Sequence, residues 1–160
     1  MSSINIRQSR EQDTNDIFDL VSKLSPLTQH TPYTYWNLFR NFANSCFIAT
    51  DQQKPIGFIT SHPTTTPPNE WFIWQVGILP KYRGSGLIDK LQDRVIEVAN
   101  NSGAIAISTS IETDNPRSLA VFGRMADRLG TNLEQVEQFN LTPDDPSVAP
   151  EVLYCMALDK

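Results

Sequence analysis

Residues 71–79 read Trp71-Phe72-Ile73-Trp74-Gln75-Val76-Gly77-Ile78-Leu79, and residues 80–86 read Pro80-Lys81-Tyr82-Arg83-Gly84-Ser85-Gly86. A run this apolar reads as a strand in the middle of a sheet. From Leu87 the pattern becomes helical, with Leu87, Leu91, Val95 and Val98 on one face and a stop at Asn100-Asn101 and Gly103. Two glycines between strand and helix let the backbone turn tightly and aim several N–H groups at one point, where the helix dipole adds roughly half a positive charge. Such a turn can hold a pyrophosphate, with Arg83 adding a charge-assisted contact, although a plain strand-to-helix turn has the same spacing. The GxGxxG signature of dinucleotide binding is incomplete, because Asp89 stands where its last glycine belongs, and the GK[ST] of a Walker loop is missing.

Working outward, Cys46–Thr50 and Ile56–Ser61 are short apolar runs joined by Asp51-Gln52-Gln53-Lys54-Pro55, the pattern of an antiparallel hairpin. The Pro/Thr-rich segment His62–Asn69 reads as a flexible connection. Upstream, Ile4 and Ile6 alternate with polar neighbours as a short strand. Asp13 or Thr14 can cap a helix whose Ile17, Leu20, Val21 and Leu24 recur at helical spacing, with Ser25-Pro26 as its stop. Thr31-Pro32 starts a second, aromatic helix carrying Tyr35, Leu38, Phe39 and Phe42. Downstream, Ala104–Ser110 is another buried strand. Asn115-Pro116 then opens a helix bearing Leu119, Phe122, Met125, Ala126 and Leu129, closed by Gly130. Asn132–Phe139 and Glu151–Leu158 are two further strands around a Pro/Asp-rich loop. The order β-α-α-β-β-β-α-β-α-β-β, with no internal repeat, places the chain in the α/β (α+β) class.

The 160 residues predict a single domain spanning 1–160 with one core. Lys and Arg number 13 against 18 Asp and Glu, a net charge of −5. A surface of that sign repels phosphate backbones, so nucleic acid is excluded as a partner and a small cationic amine suits it better. Cys46 and Cys155 form neither a disulfide framework nor a CxxC metal pair, which points to a reducing, cytoplasmic setting. The polar start at Met1–Arg10 and the lack of a long apolar stretch predict neither export nor a membrane span.

The loop Arg83-Gly84-Ser85-Gly86-Leu87 after a central strand, preceded by a hairpin and followed by β-α-β-β, resembles the GNAT superfamily of N-acetyltransferases over nearly the whole chain. The resemblance implies a GNAT fold, a mixed and mostly antiparallel central sheet of about six or seven strands flanked by about four helices. It also implies acetyl-CoA as cosubstrate, no metal, and a loop (Arg83, Gly84, Ser85, Gly86, Leu87) bound to the cofactor pyrophosphate. Asn115, Ser118 and Phe122 match positions near the pantetheine, though Asn-Pro is also simply a good helix start. Ile88 stands where the family usually has Gly or Ala, and Phe122 where it has a general-acid tyrosine.

Read together, Pro32-Tyr33-Thr34-Tyr35, Phe72-Ile73-Trp74-Gln75-Val76, the glycine loop, Asp114-Asn115 with Ser118 and Phe122, and Glu151-Val152-Leu153-Tyr154 resemble the L-2,4-diaminobutyrate acetyltransferases, the second-step enzymes of ectoine biosynthesis. That resemblance implies acetylation of the γ-amine of a small diamino acid by a homodimer. Thr28, His30, Ser108 and Val148 depart from the pattern of that family. Another diamino acid, a polyamine or an amine antibiotic is the alternative substrate, and a non-catalytic acyl-CoA-binding domain is the rival function.

The chemistry sets its own requirements. An amine with a pKa of about 10.4 is neutral in only about one molecule in 2,500 at pH 7, an obstacle of roughly 4.6 kcal/mol. A base or a strong local field must supply that, and backbone N–H groups near Val76 or Ile78 can polarise the thioester carbonyl. The central strand carries no acid, so Glu151 is the first candidate for accepting the proton, with Glu70 and Glu112 behind it. Tyr35 can orient the amine or donate to the departing thiolate. Trp74 and Gln75 are the candidates to line the amine pocket, where Trp74 can add about 0.5–2 kcal/mol of cation–π attraction, although core packing alone also explains that tryptophan. Tyr33 and Trp36 read as packing, His30 and His62 as surface or loop histidines, and Cys155 as a buried, inert thiol.

Overall fold

The computed structural model of the chain describes residues 3–159. Its elements in chain order are β1 (Ile4–Gln8), α1 (Thr14–Val21), α2 (Pro32–Asn41), β2 (Phe47–Asp51), β3 (Lys54–Thr65), β4 (Pro68–Ile78), α3 (Leu87–Asn101), β5 (Ala106–Glu112), α4 (Pro116–Arg128), β6 (Glu134–Phe139) and β7 (Glu151–Ala157), with short 3-10 turns between some of them. The seven strands hydrogen-bond in the order β1-β2-β3-β4-β5-β7-β6, and β4 and β5 pair in parallel. Four helices and a mixed seven-stranded sheet match the architecture read from the sequence. Contacts cluster in two units, one built from the chain up to His62 with Trp74–Val98, the other from Pro63–Ile73 with the chain from Ala99 onward.

In the first unit β1 runs antiparallel to β2 from Ile4↔Asp51 to Gln8↔Phe47, and β2 pairs with β3 through a turn that puts Gln52 and Gln53 at φ 49° and 66°. Helices α1 and α2 close over this sheet with Ile17, Leu20, Val21, Tyr35, Leu38 and Phe39, which pack with Ile48 and Phe58 into a buried cluster. Full burial of each such side chain contributes about 1.5–3 kcal/mol. The Asp13 carboxylate before α1 accepts two hydrogen bonds from Arg7 (2.7 and 2.8 Å) and one from the Arg10 backbone N–H (2.7 Å), fixing the start of the helix to β1. Helix α1 ends at Val21, earlier than its apolar spacing predicts. The chain then tightens into turns closed by Lys23 N–H to Leu20 C=O and Leu24 N–H to Val21 C=O, both 3.0 Å, and Leu24 stays buried from there. Gly77 of β4 makes room for this turn. A Cβ at that position would lie 2.8 Å from Cδ1 of both Leu24 and Leu27.

In the second unit β5 pairs antiparallel with β7 from Ala106↔Ala157 to Glu112↔Glu151, and β6 adds to β7 with an irregularity between Gln135 and Glu137. The segment His62–Asn69 is not the flexible connection expected from its composition. β3 continues to Thr65, β4 begins at Pro68, and Thr66-Pro67 form the tip of a hairpin. The threonines are β-branched and favour extended backbone. Thr64 Oγ1 also donates across the tip to Pro67 C=O (2.6 Å). On α4 the buried face is Val121, Phe122, Met125 and Ala126, while Leu119 is 42% exposed, so the expected stripe is displaced by two residues at its start. On α3, Ala99 rather than Val98 completes the buried row of Leu87, Leu91 and Val95.

Candidate active site

Within the first unit, one hydrogen-bond chain, buried at its Tyr35–Gln75 link, unites four residues singled out in the sequence or its departures, Thr28, Gln75, Tyr35 and His30. The Gln75 side chain, in the stretch of β4 that is otherwise apolar from Trp71 to Ile78, donates from Nε2 to the Thr28 C=O (2.9 Å). That fixes which end of the amide faces the other way, and Gln75 Oε1 accepts from the Tyr35 hydroxyl at 3.1 Å. The phenol proton is therefore committed, and Tyr35 turns lone pairs toward any further partner. One of these receives the His30 backbone N–H at 3.5 Å. Of the two roles the sequence left open for Tyr35, this arrangement favours orienting an amine by accepting its N–H over donating a proton to a thiolate. Burial pushes the Tyr35 phenol above its ordinary value, so it is neutral at physiological pH.

Trp74 is half-buried and stands in ring contact with Tyr35 (centroids 6.1 Å apart) and with His30 (4.6 Å, planes tilted 49°). His30 thus lies in a loop, one of the two settings expected from the sequence, but is half-buried against Trp74 rather than at the surface. The docking of the Leu24–Thr28 turn on Gly77 carries the following chain to Trp74. Tyr33, expected to pack, is 70% exposed and touches only the rim of Trp36 among the aromatic contacts (5.3 Å). The sequence reading missed Thr60. Its hydroxyl accepts from the Gln75 backbone N–H (3.1 Å) and donates to the Gln75 C=O (3.4 Å), so a side chain engages both backbone groups of this residue. Leu79 N–H bonds Ile56 C=O on β3, so strand alternation sends the N–H groups of Val76 and Ile78 the other way. The β4–β5 ladder ends at Ile73↔Thr109, where Thr109 Oγ1 caps the Ile73 C=O at 2.9 Å, and Val76 lies beyond that end.

The glycine loop follows directly. Gly84 and Gly86 sit at φ 76° and 79°, the left-handed region open to glycine, and nothing lies within 4 Å of where a Cβ would be at either position. These glycines are there for the turn and for an open approach to backbone. The first turn of α3, from Leu87, has N–H groups without acceptors inside the helix. The Arg83 side chain is exposed and makes no ion pair among the described residues. Tyr82 donates from its hydroxyl to Asp51 Oδ2 (2.7 Å), and Ser85 Oγ donates back to the Tyr82 C=O, so the loop is tied to the end of β2 and to itself. Open space at the two glycines, the N–H groups of the first turn of α3 and an exposed guanidinium with no ion pair among the described residues together fit a diphosphate.

In the second unit, Asn115 Oδ1 accepts the Ser118 N–H at 3.1 Å and caps α4, while Phe122 is buried in that helix. Glu151 lies directly opposite Glu112 across the β5–β7 ladder. Burial, then the charges of Glu151 and Asp114, raise the Glu112 carboxyl above its usual value. Burial keeps both cysteine thiols protonated, Cys46 pushed up to about 12. Cys155 is only partly buried, and its thiol is raised further by the charges of Glu70 and Glu134. Among the described residues no three His, Cys, Asp or Glu side chains form a metal-holding group.

A model of the acetyltransferase (GNAT) family matches residues 12–126. The chain is 32% identical to the L-2,4-diaminobutyric acid acetyltransferase of Halomonas elongata over 140 residues, covering 87% of this chain and 73% of that protein. It is 32% identical to the enzyme of the same name from Streptomyces coelicolor over 160 residues, covering 96% and 92%. Its fold superposes with a TM-score of 0.89, at 21% identity, on a diaminobutyrate acetyltransferase from Paenibacillus lautus solved with L-2,4-diaminobutyric acid and coenzyme A, over 98% of this chain and 96% of that one.

Proposed function

The chain belongs to the acetyltransferase (GNAT) family, and from that premise we propose that it transfers the acetyl group of acetyl-CoA to the γ-amine of L-2,4-diaminobutyrate, as in ectoine biosynthesis. The observation that carries this reading is the pair of left-handed glycines opening α3 immediately after β4, with open space in front of their backbone. In this reading Arg83, Gly84, Ser85, Gly86 and Leu87 hold the pyrophosphate, and Asn115, Ser118 and Phe122 flank the pantetheine. The N–H of Val76 or Ile78 stabilises the thioester oxygen as it gains charge. Trp74, Gln75 and Tyr35 receive the amine, with the Tyr35 oxygen accepting one of its N–H bonds.

The bound ammonium first gives one proton to Glu151 through water, and the neutral nitrogen then attacks the thioester carbon. The C–S bond breaks, the CoA sulfur leaves as thiolate, and the second proton, shed from nitrogen as the amide forms, passes through water to that thiolate, so the products are the amide and the free thiol. The neighbouring Glu112, held above its usual range, adds a second acceptor opposite it.

The reading takes 1–160 as one catalytic domain, since β3, β4 and α3 each run through both units. It also takes the enzyme to be a cytoplasmic homodimer. No helix among the described residues is long and apolar enough to cross a membrane. β6 ends the sheet with Glu134–Gln138 exposed, Val136 at 57% and nearby Leu141 at 73%, an open edge of the kind a second copy covers.

The test is a panel of amines with acetyl-CoA, scored by thiol release. L-2,4-diaminobutyrate should turn over fastest among diamino acids, polyamines and aminoglycosides. Turnover of a polyamine without diaminobutyrate would refute the substrate. Calorimetric CoA binding with no thiol release for any amine would instead identify a non-catalytic acyl-CoA-binding domain.

A further inference from the structure

His30 precedes α2 with its backbone N–H on the Tyr35 oxygen and its imidazole against the Trp74 indole. The groups recorded against it from α2 and β4 are the Tyr35 hydroxyl, which takes its backbone N–H, and the Trp74 indole, and Tyr35 alone of these titrates. None of them carries a charge at neutral pH. Burial pushes the imidazole below its ordinary value, with no charged neighbour contributing. The ring therefore offers one N–H and one bare nitrogen at neutral pH, against the Trp74 indole, which in turn meets the ring of Tyr35, whose hydroxyl proton is committed to Gln75.

Resting on the reading that this chain acetylates a cationic amine, we propose that His30 is a specificity-determining residue of the amine pocket. Its neutral imidazole accepts a hydrogen bond from the incoming ammonium alongside Tyr35, and its protonation closes the pocket to that cation. An imidazolium presents two donors and no acceptor, and like charges a few ångströms apart in a half-buried site repel strongly. The amine pocket is then open above the imidazole pKa and shut below it, because a bound cation and a bound proton compete for the same place. The linkage is reciprocal, so the amine must lower the His30 pKa as much as the proton weakens the amine.

The amine KM should show this separately from kcat. Over the acidic range below the His30 pKa, which burial holds under the ordinary imidazole value, the KM for L-2,4-diaminobutyrate should rise by about tenfold per pH unit at saturating acetyl-CoA, while the KM for acetyl-CoA moves little. His30→Gln keeps an acceptor that does not titrate and should give a flat amine KM across that range. The same rise in His30→Gln would overturn the proposal. A second measurement needs no turnover. The His30 imidazole, followed by NMR with a His62→Gln sample to separate the two rings, should titrate at lower pH when L-2,4-diaminobutyrate is present, and an unmoved titration would overturn the proposal. If the chain transfers no acetyl group to diaminobutyrate, the acetylation reading fails by itself, and the NMR titration still decides the role of His30.

Discussion

Removing the Tyr35 oxygen takes a partner from Gln75 Oε1 in the interior and from the His30 backbone N–H, and removes the acceptor proposed for the amine. Tyr35→Phe should therefore lower stability by about 1–3 kcal/mol and raise the amine KM by about tenfold or more, read by urea unfolding and steady-state kinetics. Asp13 gives a pH-dependent counterpart away from the site. Burial pushes its carboxyl up, but the Arg7 hydrogen bonds, the Arg10 N–H and the nearby positive charges outweigh this and hold it below 3.8 in the folded chain. Its ionised form thus contributes stability that is present above 3.8 and lost as the pH falls through the lower, folded value. Asp13→Asn should cost about 1.5–3 kcal/mol at pH 7 and weaken the acid limb of unfolding. At this scale the sequence singled out Tyr35, Trp74 and Gln75, which the structure brings together, because a glutamine within the apolar run from Trp71 to Leu79 and a tyrosine on an aromatic helix stand out locally. Thr28, His30 and Thr60 were not legible in this way. They reach Gln75, Tyr35 or Trp74 across the chain, as with the 47-residue separation of Thr28 and Gln75, and no local pattern announces such partners.

Among the elements, the turn from β4 into α3 was the most readable, since left-handed glycines, a strand and an amphipathic helix each leave a signature over a few residues. Gly86 sits at φ 79° with open space around it, so a side chain there meets strain but no clash. Gly86→Ala should cost about 1–2 kcal/mol of strain and little else. Gly86→Asp should share that cost and in addition weaken CoA by about tenfold or more through like-charge repulsion, which calorimetry can resolve. Equal CoA affinity in the two variants would remove the loop from the phosphate site. The β3–β4 hairpin was misread as flexible because prolines at Pro63, Pro67 and Pro68 suggest broken structure, whereas they occupy the strand ends and tip of a real hairpin. The α4 stripe was misplaced because helical spacing admits both Leu119 and Val121, and only the packing against the sheet chooses between them.

At the scale of the molecule, the order of elements and the sheet were legible because each strand and helix carried its own period, while the assembly state leaves little trace in periodicity. The exposed edge at β6 supplies the physical handle. Val136 is the irregular, unpaired residue of that strand and is 57% exposed, so Val136→Lys should turn the dimer into a monomer in sedimentation analysis with little loss of folding stability. A wild-type chain that sediments as a monomer would refute the dimer. The reading as a whole stands on acyl transfer between two substrates at a site whose central strand carries its one carboxylate, Glu70, near its start rather than beside Gln75. The most direct measurement is a stoichiometric one, incubating the purified chain with acetyl-CoA and L-2,4-diaminobutyrate and following free thiol together with the product by NMR. The account predicts one thiol released per molecule of diaminobutyrate acetylated on its γ-nitrogen, with the α-amine untouched. Thiol release no faster than without the protein, or acetyl on the α-nitrogen, would contradict it.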